Sequence, residues 1–216
     1  MVASSESIIL SHIKYTESKI IVTVLSQKFG KFPILVYKPK KGTNCLFQPF
    51  AVINGDFDIK ENREIQRLKD YDTVFVPNRL ISDIYKNNIA IFLLEFLSRI
   101  VPAEQINDVK YMYVREAIQY LELSEKSVVN FHLAFLVQFT KFLGIYPGEA
   151  TSFFADFENQ FEKFKLMQTS LSQSHSISLT TTQRNQTLDV ILAYYSQYFP
   201  EIRKMKSLPV LRDIFS

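Results

Sequence analysis

The sequence predicts an α+β protein, a small five-stranded barrel over residues 1–76 followed by an all-α helical domain over residues 77–216. Three observations carry that expectation. The first third holds five short runs rich in β-branched and aromatic residues, each of strand length and bounded by turn residues. From Pro77 onward apolar residues recur at three- and four-residue spacing, the period of a helix with one buried face. A chain of 216 residues with 47% apolar and 14% aromatic side chains is large enough for two modest cores and too apolar to stay disordered.

Ser7-Ile8-Ile9-Leu10-Ser11-His12-Ile13 and Lys19-Ile20-Ile21-Val22-Thr23-Val24-Leu25 read as strands that pair in a hairpin across the polar Tyr15-Thr16-Glu17-Ser18. Lys28-Phe29-Gly30-Lys31 turns the chain into a third strand at residues 32–37. Pro33 fits near the start of that strand, because it has no N–H for a ladder. Lys38-Pro39-Lys40-Lys41-Gly42-Thr43-Asn44 is an exposed basic loop of turn residues. A fourth strand is expected at residues 47–54 and a fifth at 64–74. Five short antiparallel strands in so few residues suit the OB-fold, a small barrel with an oligonucleotide-binding face.

In the helical part, Ile81, Ile84, Tyr85, Asn88, Ile91, Phe92, Glu95 and Phe96 predict one long or two abutting helices ending near Pro102. A second helix is expected over residues 109–121. A third starts at a Ser124 cap with Glu125 in its first turn and ends at Gly144, with Pro147 beyond. Residues 153–167, where Phe alternates with charges, read as a short helix or an ordered loop. Residues 168–182, rich in Ser, Thr and Gln, read as a mobile loop. Helical spacing resumes at residues 184–199, and a last helix covers 207–215 with Pro209 in its first turn.

Little in the sequence points to catalysis. His12, His132 and His175 are scattered, and His132, between Phe131 and Leu133, reads as a hydrogen-bonded structural histidine. With Gly 5 in the whole chain there is no Gly-rich phosphate loop, and there is no HExxH. The acid pairs Asp56 with Asp58 and Glu61 with Glu64 have the spacing of ordinary turn carboxylates. The single Cys45 allows neither an internal disulfide nor a cysteine zinc knuckle, so no cofactor or metal is expected. No basic leader precedes the first strand and no run approaches the roughly 20 apolar residues that span a bilayer, so a cytoplasmic protein without a membrane partner is expected.

The positive signal is charge. The net charge is only +3, but residues 11–47 carry seven lysines against one acid, Glu17. A field of that sign on a small domain suits a polyanion, since each neutralised phosphate releases counterions. A solvated lysine face serving solubility would carry the same charge. Basic residues also adjoin rings at Lys14-Tyr15, Lys28-Phe29, Lys31-Phe32 and Tyr37-Lys38, the combination that single-strand binding uses. Strand alternation puts Phe29 and Phe32 in the core and leaves Tyr15 and Tyr37 as stacking candidates. The candidate nucleic-acid contacts are therefore Lys14, Tyr15, Lys19, Lys28, Lys31, Tyr37, Lys38, Lys40 and Lys41, with Arg63, Arg67 and Lys69 extending the track along one strand face or forming a solvated edge.

The order of motifs resembles the bacterial RecO family. Ile8-Ile9-Leu10, then Tyr15-Thr16-Glu17-Ser18-Lys19-Ile20-Ile21-Val22-Thr23 and Phe29-Gly30-Lys31, look like that family's opening strand, Tyr-x-Glu turn, strand and Gly turn. Leu46-Phe47-Gln48-Pro49-Phe50 is similar to its barrel strand after the basic loop. Phe131-His132-Leu133 through Phe142-Leu143-Gly144-Ile145-Tyr146-Pro147 resembles its helix ending in Leu-Gly-aromatic-Pro, and Lys206-Ser207-Leu208-Pro209-Val210-Leu211-Arg212 is like its final helix. The resemblance implies a recombination and DNA-repair mediator, not an enzyme, that binds single-stranded and double-stranded DNA and anneals complementary strands. Its implied partners are RecR and the C-terminal tail of single-stranded-DNA-binding protein, with RecA loaded indirectly and the protein at the nucleoid during repair. Two departures stand out: residues 148–167 hold no cysteine where many members carry a four-cysteine zinc module, and the basic loop reads Lys-Pro-Lys-Lys where arginine and glycine are usual. Two other readings fit the same residues: a generic RNA- or oligonucleotide-binding module, and a helical adaptor whose barrel makes only protein contacts.

Overall fold

The computed structural model describes residues 2–38, 46, 48–103, 108–147 and 170–215. Strands β1 (Val2–Lys14), β2 (Lys19–Ser26), β3 (Gly30–Tyr37), β4 (Val52–Asp58) and β5 (Gln66–Phe75) close into a barrel in the order β1-β2-β3-β5-β4. Neighbours are antiparallel except β3 and β5, which run parallel and pair only at Ile34 with Gln66 and Leu35 with Arg67. The barrel and the helices that follow it are the α+β arrangement expected, but the parallel β3–β5 pair departs from the all-antiparallel expectation and two strand assignments are adjusted. β4 begins at Val52 rather than at residue 47, because Pro49 has no N–H to donate and Phe50 sits in a left-handed turn conformation at φ 64°. Arg63 lies in the turn before β5, so it does not share a strand face with Arg67 and Lys69.

The unbroken apolar triplet Ile8-Ile9-Leu10 is explained by two cores. Ile9 points into the barrel with Ile20, Val22, Val24, Ile34, Ile53 and Phe57. Ile8 and Leu10 point outward and, with Leu25, Phe50 and Val52, join the core of the helical domain. β1 is thus buried on both faces, and polar groups complete the junction: Tyr111 donates its hydroxyl to Glu6 Oε1 at 3.1 Å and Arg115 Nε reaches the same oxygen at 3.3 Å.

The helices are α1 (Arg79–Ser82), α2 (Ile84–Ile100), α3 (Asp108–Leu123), α4 (Phe131–Leu143), α5 (Thr181–Tyr198) and α6 (Ser207–Ile214), with 3₁₀ turns at Leu171–Ser176 and Pro200–Lys204. α2 is the central element. Its Phe96 meets Phe135, Phe139 and Tyr195 edge-on, at centroid separations of 6.5, 6.3 and 5.0 Å. Asp83 caps it by accepting from the Tyr85 and Lys86 N–H groups. No helix among the described residues is long and apolar enough to cross a membrane.

Two helical expectations are corrected. α4 starts at Phe131, not after Ser124: the Ser124 N–H still donates to Tyr120 at the end of α3, and its carbonyl accepts from the Lys86 ammonium at 2.7 Å. Ser124 therefore closes one helix instead of opening the next. The Ser/Thr-rich stretch expected as a loop at 168–182 is folded from residue 170: Ser170 caps the 3₁₀ turn and Thr180 forms a capping box with Gln183 at the start of α5. Short hydroxyl side chains there satisfy helix ends rather than solvate a linker. The remainder of that stretch and the segment 153–167 lie outside the described residues.

Burial of charge is resolved by backbone partners. The Glu122 carboxylate accepts from the N–H groups of Asn78, Arg79 and Leu80 at 2.8–2.9 Å, and the Lys86 ammonium donates to the carbonyls of Glu122 and Ser124. Burial would raise the Glu122 pKa, but these N–H bonds outweigh it and hold the group below its ordinary value. Glu122→Ala would strand three donors at the start of α1. It should cost at least about 2 kcal/mol, read as a lower urea midpoint with an unchanged slope.

His132 is buried between the face of Phe215, 5.8 Å away, and the edge of Phe92, and its Nδ1 has no hydrogen-bond partner among the described residues. The expected histidine is structural, but its Nδ1 is not hydrogen-bonded. Burial, helped by the charge of Arg184, lowers its pKa from 6.5 to about 3. As pH falls below 6.5 the unfolded chain takes a proton that the folded site refuses, so stability is lost from there down toward about 3. The unfolding free energy, from urea titrations followed by circular dichroism, should fall between about pH 7 and pH 5, with a slope of up to about 1.4 kcal/mol per pH unit. His132→Phe should flatten that window, and an equally steep slope in the variant would rule the histidine out as its source.

Candidate nucleic-acid interface

The β2–β3 ladder runs from Ser26 opposite Gly30 to Lys19 opposite Tyr37, and it sorts the expected contacts into two groups. At one end Lys14 and Tyr15 lead into the first turn, Lys19 starts β2, Tyr37 finishes β3 and Lys38 follows. At the other end lie Lys28 and Lys31. The two groups have different partners.

At the first end, Lys19, Tyr37, Arg67 and Lys69 line one cleft of about 320 Å³, together with Leu35, Val36 and Leu68. The cleft exists because β3 and β5 pair over only two residues. Beyond Leu35 and Arg67 they are no longer bridged. On its other side β5 carries a bulge: the register with β4 steps from Leu68 to Asp70 and leaves Lys69 without an opposite residue. A bulge bends its strand and re-aims the side chain on it. Lys19 Nζ lies 5.1 Å from the centroid of the Tyr37 ring, a cation–π contact, while the ring stays 72% exposed. Tyr15 is 58% exposed at the neighbouring turn. Lys38 is exposed and its N–H ties the end of β3 to Ser18 O at 2.9 Å. Lys14 is ion-paired with Glu17, both largely in water, where such a pair contributes little.

Elsewhere the expected contacts are engaged with the protein. Arg63 donates to the Asp58 carboxylate at 3.1 Å and to the Asp58 carbonyl at 3.3 Å. The Arg63 hydrogen bond, opposed by some desolvation and supported by the charges of Arg63, Lys60 and Lys69, holds the Asp58 carboxyl below its ordinary pKa. Lys28 donates to Ser4 O at 2.8 Å. Lys31 donates to Ser98 O, at the end of α2, at 2.6 Å, and burial lowers its pKa. Phe29 and Phe32 pack edge-on against Phe57 at 6.5 and 5.4 Å, the core role expected of them. Lys40, Lys41 and Cys45 lie outside the described residues.

Sequence reasoning missed Leu35 and Leu68. Leu68 alternates as an interior residue should, whereas Leu35 is out of phase with the buried Ile34 and Val36, and only the early parting of β3 from β5 brings both to one cleft. A larger hollow, about 820 Å³, lies away from the barrel between α1, the start of α2 and residues 124–129. Two of its cations are answered locally, Arg79 by Glu125 at 3.5 Å and Lys86 by two carbonyls. No group of three or more His, Cys, Asp or Glu that could hold a metal occurs among the described residues.

A closed five-stranded barrel with a cationic, aromatic-edged cleft, packed on helices, is an oligonucleotide-binding barrel protein with a helical second part. Comparison with known proteins narrows this class. Residues 1–76 match the family model for the recombination protein O N-terminal region and residues 81–150 that for its C-terminal region. Over the full length of both chains, the sequence is 28% identical to a DNA repair protein RecO of Azobacteroides pseudotrichonymphae, 28% to one of Phocaeicola vulgatus and 29% to one of Bacteroides fragilis. The chain belongs to the RecO family of DNA repair proteins.

The separation of the lysines generates a test. Lys31→Ala removes a charged hydrogen bond between barrel and helices and should cost about 1 to 2 kcal/mol of unfolding free energy. The salt dependence of oligonucleotide binding should not change, and a slope altered as much as by a cleft variant would move Lys31 into the interface.

Proposed function

We propose that this protein captures single-stranded DNA on the open end of its barrel and anneals complementary strands, without covalent chemistry or nucleotide hydrolysis. The observation that carries this reading is the cleft that gathers Lys19, Arg67 and Lys69 around the exposed Tyr37. Cations there neutralise backbone phosphates without reading sequence, and the ring offers a stacking face to any base. Lys14, Tyr15 and Lys38 at the same end widen the track, and Lys40 and Lys41 extend it along the chain. Two strands whose phosphates are neutralised near one surface repel each other less, which is what annealing requires. Duplex DNA binds through the same phosphate contacts. The family resemblance adds the partners: RecR, the acidic Phe-ended tail of single-stranded-DNA-binding protein docked on the helical part as a buried anchor beside basic groups, and RecA loaded as the result.

Binding of a fluorescent single-stranded oligonucleotide, followed as salt is raised, tests the reading. Each phosphate contact on a single strand contributes about 0.7 to the slope of log affinity against log salt, so Arg67→Ala with Lys69→Ala should make it shallower by roughly 1.4. Changing Lys38, Lys40 and Lys41 together to Ala should also weaken binding and lower the slope. If the protein fails to bind even at low salt, the barrel is a protein-contact module and the annealing reading falls.

A further inference from the structure

The cleft has a shape as well as a charge. Its two walls are strands that separate after two paired residues, and Leu35 and Leu68 line it beside Lys19, Arg67, Lys69 and the Tyr37 ring. A flat cationic face would serve a phosphate backbone equally well in any conformation. Apolar side chains between diverging strands serve something flat and apolar that enters edge-first. At about 320 Å³ the space lies at the small end of ligand sites, enough for one nucleotide.

We infer that this wedge seats one unpaired nucleotide, its base over Leu35 and Leu68 against Tyr37 and its flanking phosphates on Lys19, Arg67 and Lys69. The inference rests on the proposed single-strand binding and deepens it, because it seats one base in a defined site rather than leaving the exposed ring to stack on any base in passing. Tyr37 is prepared for that role. Lys19 lies over its ring and Lys38, next in the chain, is anchored to Ser18, so the ring is positioned before any ligand arrives. Beyond Leu35 and Arg67 the facing edges of β3 and β5 are not joined by ladder bonds across the cleft, which leaves backbone donors and acceptors on the walls to meet the polar edge of a base. An extended peptide could use such edges too, but three cations around one ring favour a phosphate-bearing ligand.

A seated base has a cost for duplex DNA, which must give up a pair and its stacking to fill the wedge. Single strands should therefore gain a contact that duplexes of equal charge do not, and partly unwound or gapped DNA should be held at its unpaired positions.

The test compares two oligomers of equal length and charge, a thymidine strand and an abasic deoxyribose-phosphate strand, bound to the full-length protein. Stacking of one base predicts roughly tenfold tighter binding of the thymidine strand at equal salt slope. Tyr37→Ala and Leu35→Glu should each remove most of that preference, whereas Tyr37→Phe should keep it. Tyr37 is largely exposed, so its substitution leaves the fold intact. Equal affinity of the two strands for the wild type, or a Tyr37→Ala loss shared equally between them, overturns the wedge while leaving phosphate capture standing. Failure of both strands to bind overturns the proposed function itself.

Discussion

The burial of β1 on both of its faces is the constraint on which the rest of the structure depends. A strand in a small barrel ordinarily turns one face to water, but Ile8 and Leu10 are almost fully buried on the outside while Ile9 fills the inside. Each such side chain contributes about 1.5–3 kcal/mol when taken from water. The helices are therefore fixed to one side of the barrel by its own first strand. Lys31, reaching Ser98, and the Glu6 pair with Tyr111 and Arg115 set the angle at which they meet. The ladder end carrying Tyr37 is left free of these contacts, and the cleft forms there.

This division also sorts the basic residues. Lys28 and Lys31 stand at the end of the β2–β3 ladder that the body of the protein uses, and their ammonium groups are given to backbone carbonyls. Lys19, Arg67 and Lys69 stand at the other, with Tyr37 among them. The same residue type at similar spacing thus does two jobs, and which job depends on the end of one hairpin where it falls. Arg63, held by Asp58, shows a third outcome, a cation whose charge is cancelled one turn away from the track it was expected to extend.

The strands, the first hairpin and most helices were legible in the sequence because their signals are local: β-branched runs, a Gly at φ 71° ending α4, Pro200 after α5. What was not legible depends on contacts between distant residues. Ser124 looked like a helix start until the buried Lys86 claimed its carbonyl, and 170–182 looked like a linker because capping hydroxyls and linker hydroxyls are the same residue types. For the site, composition found the cations and Tyr37, but not the grouping. That depends on the parallel meeting of β3 with β5, which β4 separates in the chain, and on the bulge at Lys69, neither of which has a local sequence mark. Leu35 and Leu68 were invisible for the same reason: one reads as an outward and the other as an inward strand residue, and only the parting of β3 from β5 brings them together.

The outward apolar strip of the barrel also bears on how the chain comes into being. β1, β2 and β3 are consecutive and can fold into a meander as soon as they are made, but Ile8, Leu10 and Leu25 then wait uncovered until α2, tens of residues later, has been synthesised. During that interval the nascent barrel presents a water-facing hydrophobic band on an otherwise closed sheet. A fragment cut after residue 76 would keep that band permanently. Such a piece would be prone to self-association through the surface that the helices normally cover, and its solubility would report on the lost cover rather than on the integrity of the barrel.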